Sequence, residues 1–165
     1  MKVLVTGAAG FIGGQLCHAL WKRGDTVIGI DNFSYGNLDN LHFDDHDFTA
    51  DVLRMDIRDR EKLPALFEQE HFDGVYNIAG IAPLPDCQSD PVEAVSVNTM
   101  GLVNLLELCR RTGVKHLVQA STNAMYENET EFPTVEDKFN PPTLIYPNTK
   151  YCAEQFCRSF ATTYN

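Results

Sequence analysis

Gly7-Ala8-Ala9-Gly10-Phe11-Ile12-Gly13 is the stretch that decides the fold of this chain. It follows the apolar run Lys2–Thr6, which is typical of a buried parallel strand, and it precedes apolar residues at helical spacing. In that position Gly7 permits a tight turn, Gly10 lets a pyrophosphate approach the backbone, and Gly13 lets the helix pack against the strand. The sequence therefore predicts a strand, a phosphate-binding turn and a helix; a glycine-rich turn that only packs is the alternative.

Strand-like and helix-like segments alternate along the rest of the chain. Further strands are predicted at residues 26–30, 49–54, 74–79 and 114–120, and further helices at 58–70, 91–112 and 147–164. Because strands that are apolar on both faces alternate with helices, we predict an α/β fold with a doubly wound, Rossmann-like parallel sheet. The polar, proline-bearing segment 121–145 is predicted to be a long functional loop.

Length, composition and charge limit the classes of protein to which this chain can belong. With 165 residues and 44% hydrophobic content, the chain has the size of one compact domain. The net charge of −10 disfavours nucleic acid as a partner, although helix amides can still bind an anionic cofactor. The short N-terminal apolar run resembles neither a signal-peptide core nor a membrane span, so we expect a cytoplasmic location and no membrane partner.

The five cysteines and the acidic, histidine-bearing stretch 42–47 carry no metal-ligand spacing. We interpret the cysteines as reduced core thiols and the stretch as a solvated loop. No metal is expected.

Asp31 lies at the end of the second predicted strand, 18 residues beyond Gly13. There a carboxylate can accept hydrogen bonds from both hydroxyls of an adenosine ribose, and it would repel a 2′-phosphate. No arginine adjoins Asp31 in the sequence or lies within the glycine stretch. NAD is therefore favoured over NADP; a solvated aspartate at a strand end is the alternative.

Tyr146 and Lys150 stand four positions apart near the start of the last predicted helix. That spacing places both side chains on one helix face. A lysine ammonium lowers the pKa of a neighbouring phenol from about 10, so that the phenol can take a proton from a sugar hydroxyl. A half-buried tyrosine beside a snorkelling lysine is the alternative.

The glycine spacing resembles that of the short-chain dehydrogenase/reductase superfamily, and four other segments are similar to its extended, sugar-nucleotide branch over essentially the whole chain. These segments are Asp31-Asn32-Phe33-Ser34-Tyr35-Gly36-Asn37, Asp56-Ile57, Asn77-Ile78-Ala79-Gly80 and Val97-Asn98-Thr99-Met100-Gly101. The third has asparagine where the family usually has histidine. The resemblance implies an NAD site made by Gly7, Gly10, Phe11, Ile12, Gly13, Asp31, Asn32, Asp56, Ile57, Ala79, Gly80, Asn98, Tyr146 and Lys150.

Ala120-Ser121-Thr122-Asn123-Ala124-Met125-Tyr126 is similar to the family's Ser-Ser-Ser/Thr-x-x-Val-Tyr segment. The resemblance implies that Thr122 is the catalytic hydroxyl beside Tyr146 and Lys150, and that Ser121 lines the substrate pocket. A Ser/Thr pair that caps a loop turn is the alternative. Glu127 stands where many members of the family have glycine.

Related 4,6-dehydratases carry Asp-Glu directly after the threonine, where this chain has Asn123 and Ala124. The resemblance therefore favours a sugar-nucleotide 4-epimerase that works through a 4-keto sugar, with a dehydratase or a reductase as alternatives. An NAD-binding module or subunit without turnover of its own is the alternative of another class.

The family's chains are roughly twice as long and continue into a small substrate domain. The resemblance thus implies that residues 1–165 are an NAD-binding Rossmann-type domain without the C-terminal substrate domain. It also implies a nucleotide-sugar substrate, UDP-linked, and either a homodimer or a partner chain that supplies the substrate domain.

Overall fold

The computed structural model describes residues 1–136 and 141–164, so part of the predicted loop 121–145 lies outside the described residues. The chain divides into two compact units. The first unit comprises Met1–Ala79 and Asn104–Ala120, and the second begins at Gly80–Val103 and resumes at residue 121. A single domain over residues 1–165 stays a prediction.

A five-stranded parallel sheet forms the centre of the first unit. Its strands are β1 (Lys2–Thr6), β2 (Thr26–Asp31), β5 (Val52–Arg54), β6 (Gly74–Asn77) and β7 (His116–Gln119). They are arranged in the order β5-β2-β1-β6-β7, so the chain winds outward in both directions from β1. This confirms the predicted doubly wound sheet, and the glycine stretch leaves β1 where the strand order reverses, the usual place for a ligand in such sheets.

Two helices of the first unit connect its strands: α1 (Phe11–Lys22) joins the neighbouring strands β1 and β2, and α2 (Lys62–Glu70) crosses from the edge strand β5 to β6 on the other side of β1. α2 begins four residues later than the predicted start at residue 58. Asp59 accepts hydrogen bonds from the backbone amides of Glu61 and Lys62, so a side-chain turn replaces the first helical turn. The core of the unit consists of fully buried apolar residues, among them Val3, Val5, Cys17 and Phe48.

The predicted solvated stretch 42–47 forms a short antiparallel hairpin, β3 (His42–Phe43) and β4 (His46–Asp47). It stacks on α1: the rings of His18 and Phe43 lie 4.0 Å apart, and those of Trp21 and His46 lie 4.4 Å apart. Aromatic packing on α1 therefore orders this stretch. Within the described ranges no group of three or more His, Cys, Asp or Glu side chains is placed to hold a metal ion.

The second unit contains α3 (Leu84–Ser89), α4 (Pro91–Val95) and α6 (Ile145–Tyr164). The predicted helix 91–112 is interrupted by a π-helical turn at Ser96–Met100, after which α5 (Gly101–Thr112) continues into the first unit. Such one-turn bulges are common at functional sites. Pro91–Thr112 is long and apolar enough to cross a membrane, but 56% of the 18-residue stretch that meets this criterion is buried, and core helices of globular proteins meet it too.

All five cysteines are free thiols, but only three lie in the core. Cys17, Cys87 and Cys109 are buried, whereas Cys157 is half-buried and Cys152 is exposed. The prediction of core thiols was therefore wrong for the two cysteines of α6, because the fold covers Cys157 only in part and leaves Cys152 exposed. Burial raises the pKa of Cys17 and Cys109 to about 12.

Candidate cofactor and catalytic sites

The glycine stretch forms a tight turn between β1 and α1. Gly7 has a φ of +68°, and a Cβ atom there would lie 2.7 Å from the backbone nitrogen of Ala79. A Cβ atom at Gly13 would lie 1.9 Å from the carbonyl oxygen of Gly7. The sequence-based reasons for glycine at these two positions are thus confirmed. At Gly10 a Cβ atom would meet only the Gly7 carbonyl, at 3.2 Å, so the fold itself demands glycine less strongly there.

The first turn of α1 has the properties of an anion site. Gly10 precedes the helix without a side-chain cap, and the first turn carries no acidic residue. The amides of an uncapped first turn need an acceptor, and the helix dipole favours an anion. Phe11 and Ile12, in this first turn, are 77% and 64% exposed. The residues present therefore fit the pyrophosphate of a dinucleotide.

Asp31 is bound to the glycine turn. Its Oδ2 accepts a hydrogen bond from the amide of Ala9 at 3.0 Å, and its Oδ1 accepts one from the amide of Phe33 at 2.7 Å. The residue is 8% exposed, and each carboxylate oxygen retains a lone pair for a further donor. Phe33 has a φ of 61°, a left-handed conformation that is strained for an aromatic residue. The two hydrogen bonds thus fix the orientation of the Asp31 carboxylate. Its remaining lone pairs can accept hydrogen bonds from the hydroxyls of a ribose.

Arg54 corrects one premise of the sequence analysis. No arginine adjoins Asp31 along the chain, but Arg54 is the register partner of Asp31 on the neighbouring strand β5. Its guanidinium lies 4.5 Å from the centroid of the Phe33 ring and donates to the Asn32 carbonyl at 3.3 Å. A cation therefore stands near the proposed ribose site. Only the Asp31 carboxylate therefore disfavours the 2′-phosphate of NADP.

Asn32 and Asp56 are brought together at the ends of β2 and β5. The Asn32 amide donates to Asp56 at 3.0 Å, and Arg58 donates to both carboxylate oxygens of Asp56. Above all, the Arg58 hydrogen bonds lower the pKa of Asp56 to about 2. Ile57 is buried, and its carbonyl accepts from the Asn104 amide. Asp56 is thus a fixed, ionised group, as a residue that contacts adenine would need to be.

Residues 37–40 cover the glycine turn, a contact that was not predicted from the sequence. The backbone amide of Asn37 and the side-chain amide of Asn40 both donate to the Ala9 carbonyl, at 2.9 and 2.8 Å. Gly14 makes room for this segment, since a Cβ atom there would lie 2.2 Å from the Asn40 carbonyl oxygen. Gly14 was the available signal in the sequence for a close contact at this place. Glycine is unfavourable inside a helix, so its presence there indicates a packing reason.

Gly36→Ala should weaken NAD binding at least tenfold. A Cβ atom at Gly36 would lie 2.7 Å from Asp31 Oδ1 and 2.8 Å from the Ala9 Cβ, so the methyl group would displace the carboxylate from the turn. A tenfold loss corresponds to about 1.4 kcal/mol. Calorimetric titration with NAD measures the effect. Gly74→Ala is the matched control, because its nearest neighbour would be 3.5 Å away. Equal affinities for the two variants would contradict the assignment.

A buried polar chain joins the carboxyl ends of β1, β6 and β7. Thr6 Oγ1 donates to Asn77 at 2.5 Å, and the Asn77 amide donates to Gln119 at 2.7 Å. The Ala79 amide in turn donates to Thr6. Asn77, which replaces the histidine usual in the family, thus fixes the strand ends that precede Ala79. Ala79 itself lies directly against Gly7.

In the second unit Asn98 acts as a hydrogen-bonding hub. The residue is 2% exposed; it accepts from the Ile81 amide and donates to the Ile81 carbonyl and to Thr149 Oγ1. Both of its donor hydrogens are therefore used within the protein. The π-helical turn turns this side chain inward. Asn98 holds the Gly80–Ile81 backbone, so any role toward a cofactor is exerted through that backbone.

Lys150 is buried beside Gly80 and Asn98. It is only 4% exposed, and a Cβ atom at Gly80 would lie 3.3 Å from Lys150 Nζ and 3.0 Å from Asn98 Oδ1. Burial lowers the pKa of Lys150 to about 8. Tyr146 lies one turn earlier on α6 and is half-buried. The structure thus brings Gly80, Asn98 and Lys150 together, and it does not support the alternative of a snorkelling lysine.

Ser121 and Thr122 line a cavity of about 760 Å³, together with Asn123, Met125, Tyr126, Glu136, Tyr151, Glu154, Gln155 and Arg158. Thr122 Oγ1 accepts a hydrogen bond from the Ala124 amide, so the capping role considered as an alternative is present. Its hydroxyl hydrogen is still available to a sugar oxygen. Ser121 donates to Glu154 at 2.5 Å. Of the three predicted catalytic residues, only Thr122 lines this cavity.

Comparison with known proteins identifies the family. The model of the NAD dependent epimerase/dehydratase family matches residues 3–165. The chain belongs to this family. This confirms the resemblance seen in the sequence, and with it NAD as the cofactor on which the family depends.

Individual relatives agree. UDP-glucuronate 4-epimerase 4 of Arabidopsis thaliana is 34% identical over 99% of this chain and 39% of its own length. The UDP-glucose 4-epimerase of Thermotoga maritima, solved with UDP-glucose, superposes with a TM-score of 0.91 at 32% identity, over 99% of this chain and 52% of its own. That of Thermus thermophilus, solved with NAD, gives 0.88 at 34% identity, with coverage of 99% and 52%. The chain therefore spans about half the length of these relatives or less.

Proposed function

We propose that this chain supplies the NAD-binding and proton-transfer residues of a UDP-sugar 4-epimerase. The observation that carries the proposal is the burial of Lys150 against Gly80 and Asn98, one helical turn beyond Tyr146. A buried lysine of lowered pKa is typical of a reaction site. The relatives named above act on UDP-glucose or UDP-glucuronate, which makes a UDP-hexose the substrate class.

The chain's own residues perform the proton chemistry. Tyr146, as phenolate, removes the proton from the sugar 4-hydroxyl, and Lys150 in its charged form stabilises that phenolate. Thr122 donates its hydroxyl hydrogen to the sugar oxygen as a carbonyl forms. Held by the glycine turn and Asp31, NAD would supply the hydride acceptor and donor that inversion at C4 requires. Tyr146 then gives the proton back to the oxygen, so protons and electrons balance.

Epimerisation is favoured over dehydration by the residues that follow Thr122. Elimination of water needs an acid and a base near the sugar. Asn123 and Ala124 stand in that turn, and neither side chain can exchange a proton at neutral pH. The turn therefore supports redox chemistry at one carbon and no elimination.

The cofactor roles of the first unit follow from its geometry. We propose that the amides at Gly10, Phe11 and Ile12 bind the pyrophosphate and that Asp31 binds the adenosine ribose. Asn32, Asp56 and Ile57 then lie around the adenine. For the other residues of the NAD site we propose the roles that the family resemblance implies. These residues are Gly7, Gly13, Ala79, Gly80, Asn98, Tyr146 and Lys150.

We also propose a homodimer through the helices of the second unit, because Val92, Val95, Met100 and Phe156 are exposed apolar residues on them. A cytoplasmic location stays a prediction.

The experiment that tests the proposed function is paired titration and turnover. We expect calorimetry of the purified chain to give saturable NAD binding, at least tenfold tighter than NADP binding, because the Asp31 carboxylate repels a 2′-phosphate. NMR of mixtures with NAD and UDP-glucose, UDP-glucuronate or UDP-N-acetylglucosamine then detects 4-epimers. NAD binding without turnover would favour an NAD-binding module instead. Equal affinity for both dinucleotides would overturn the role of Asp31.

A further inference from the structure

Glu127 contacts the beginning of the helix that carries Tyr146 and Lys150. Its Oε1 accepts hydrogen bonds from the backbone amides of Thr143 at 2.6 Å and Leu144 at 3.0 Å, and from the Thr143 hydroxyl at 3.0 Å. The two residues are separated from Glu127 by 16 and 17 positions in the chain. One carboxylate oxygen thus binds three donors of the segment that leads into α6.

Gln88 completes this long-range cap. Its side-chain oxygen accepts from the amide of Ile145, the first residue of α6, at 3.2 Å. The amides at the start of a helix have no partner within the helix and need external acceptors. Here three consecutive amides are bound by two side chains from elsewhere in the second unit. A carboxylate in this place also interacts favourably with the positive end of the helix dipole.

Glu127 joins two segments that both carry proposed catalytic residues. It directly follows the turn Asn123–Tyr126, whose N-terminal cap is Thr122, and it binds the segment that leads to Tyr146. We propose that Glu127 is a positioning residue that fixes the Tyr146 helix entrance relative to the Thr122 turn, an inference that rests on the proposed function of those two residues. Many members of the resembled family have glycine at this position.

The charge state of Glu127 suits this role. Hydrogen bonds from the Thr143 and Leu144 amides lower its pKa below the ordinary glutamate value. The group is therefore a carboxylate throughout the neutral range and accepts all three hydrogen bonds there. Charge-assisted hydrogen bonds of this kind are stronger than neutral ones.

The test compares Glu127→Gly with Glu127→Gln and with Asn128→Ala in the 165-residue chain. Asn128 is the matched control, because it joins the same two segments through the Pro141 carbonyl but contacts no helix amide. Hydrogen exchange measures the protection of the Thr143 and Leu144 amides. The ¹³Cζ resonance of Tyr146, assigned through Tyr146→Phe, reports the placement of the phenol.

For Glu127→Gly we expect at least tenfold faster exchange at Thr143 and Leu144, and a shifted or broadened Tyr146 resonance with the other tyrosines unchanged. Glu127→Gln keeps an acceptor oxygen and should restore most of both signals, while Asn128→Ala should resemble the wild type. An unchanged Tyr146 resonance in Glu127→Gly, or equally faster exchange over the whole chain, would overturn the proposal. If the exchange and resonance effects are observed but the chain shows no turnover or no NAD binding, the proposed function is contradicted instead.

Discussion

Gly13→Ala should abolish measurable NAD binding and lower the free energy of unfolding by about 3 kcal/mol. The added Cβ atom would lie 1.9 Å from the Gly7 carbonyl oxygen and 2.9 Å from the Ala8 Cα, so backbone has to move against backbone. Any shift that relieves the contact separates α1 from β1 and turns the first helical amides away from the place where a pyrophosphate would bind. Calorimetric titration with NAD and urea unfolding measure the two effects.

Gly74→Ala again provides the control for Gly13→Ala, because Gly74 lies in the same unit, in strand β6, and a Cβ atom there would have only ordinary van der Waals neighbours. Its free energy of unfolding should change by less than about 1 kcal/mol, the range of substitutions without a clash. If Gly13→Ala bound NAD as tightly as Gly74→Ala, the glycine turn would not be the cofactor site. If Gly13→Ala bound NAD weakly but had the same free energy of unfolding as Gly74→Ala, a local change in the turn alone would relieve the clash.

The glycine turn shows why much of the fold could be predicted from the sequence. The requirement at Gly7 and Gly13 arises from the tight turn of the chain, and the strand before it is apolar on both faces because helices cover both sides of the sheet. Such signals lie within a few residues of one another. The same is true of Tyr146 and Lys150, which share a helix face because of their spacing alone.

Other features could not be predicted, because they depend on contacts between distant segments. Arg54 reaches the vicinity of Asp31 only through the pairing of β2 with β5. The π-helical turn that turns Asn98 inward has no local sequence signal, and its reason is the hydrogen bonds to Ile81 and Thr149. The function of Glu127 likewise becomes visible only when the start of α6 is placed beside it.

Lys150→Met should stabilise the chain by about 3 kcal/mol at pH 7 while removing the ammonium that the proposed reaction needs. Burial lowers the pKa of Lys150 from 10.5 to about 8, so the folded chain holds a desolvated charge below pH 8. Each unit of difference between the folded and unfolded pKa corresponds to about 1.4 kcal/mol. Methionine has similar length and no charge to desolvate.

The pH dependence separates this desolvation effect from simple packing. Between about pH 8 and 10.5 the unfolded wild-type chain binds more protons than the folded chain, so its stability rises with pH relative to Lys150→Met. The advantage of the variant should therefore be full below pH 8 and vanish by about pH 10.5, as followed by urea unfolding at each pH. Lys115→Met, at an exposed position, is the control and should follow the wild-type curve. If the stability advantage of Lys150→Met were the same at pH 7 and pH 10.5, methionine would only pack better. Burial would then not destabilise the charged form of Lys150.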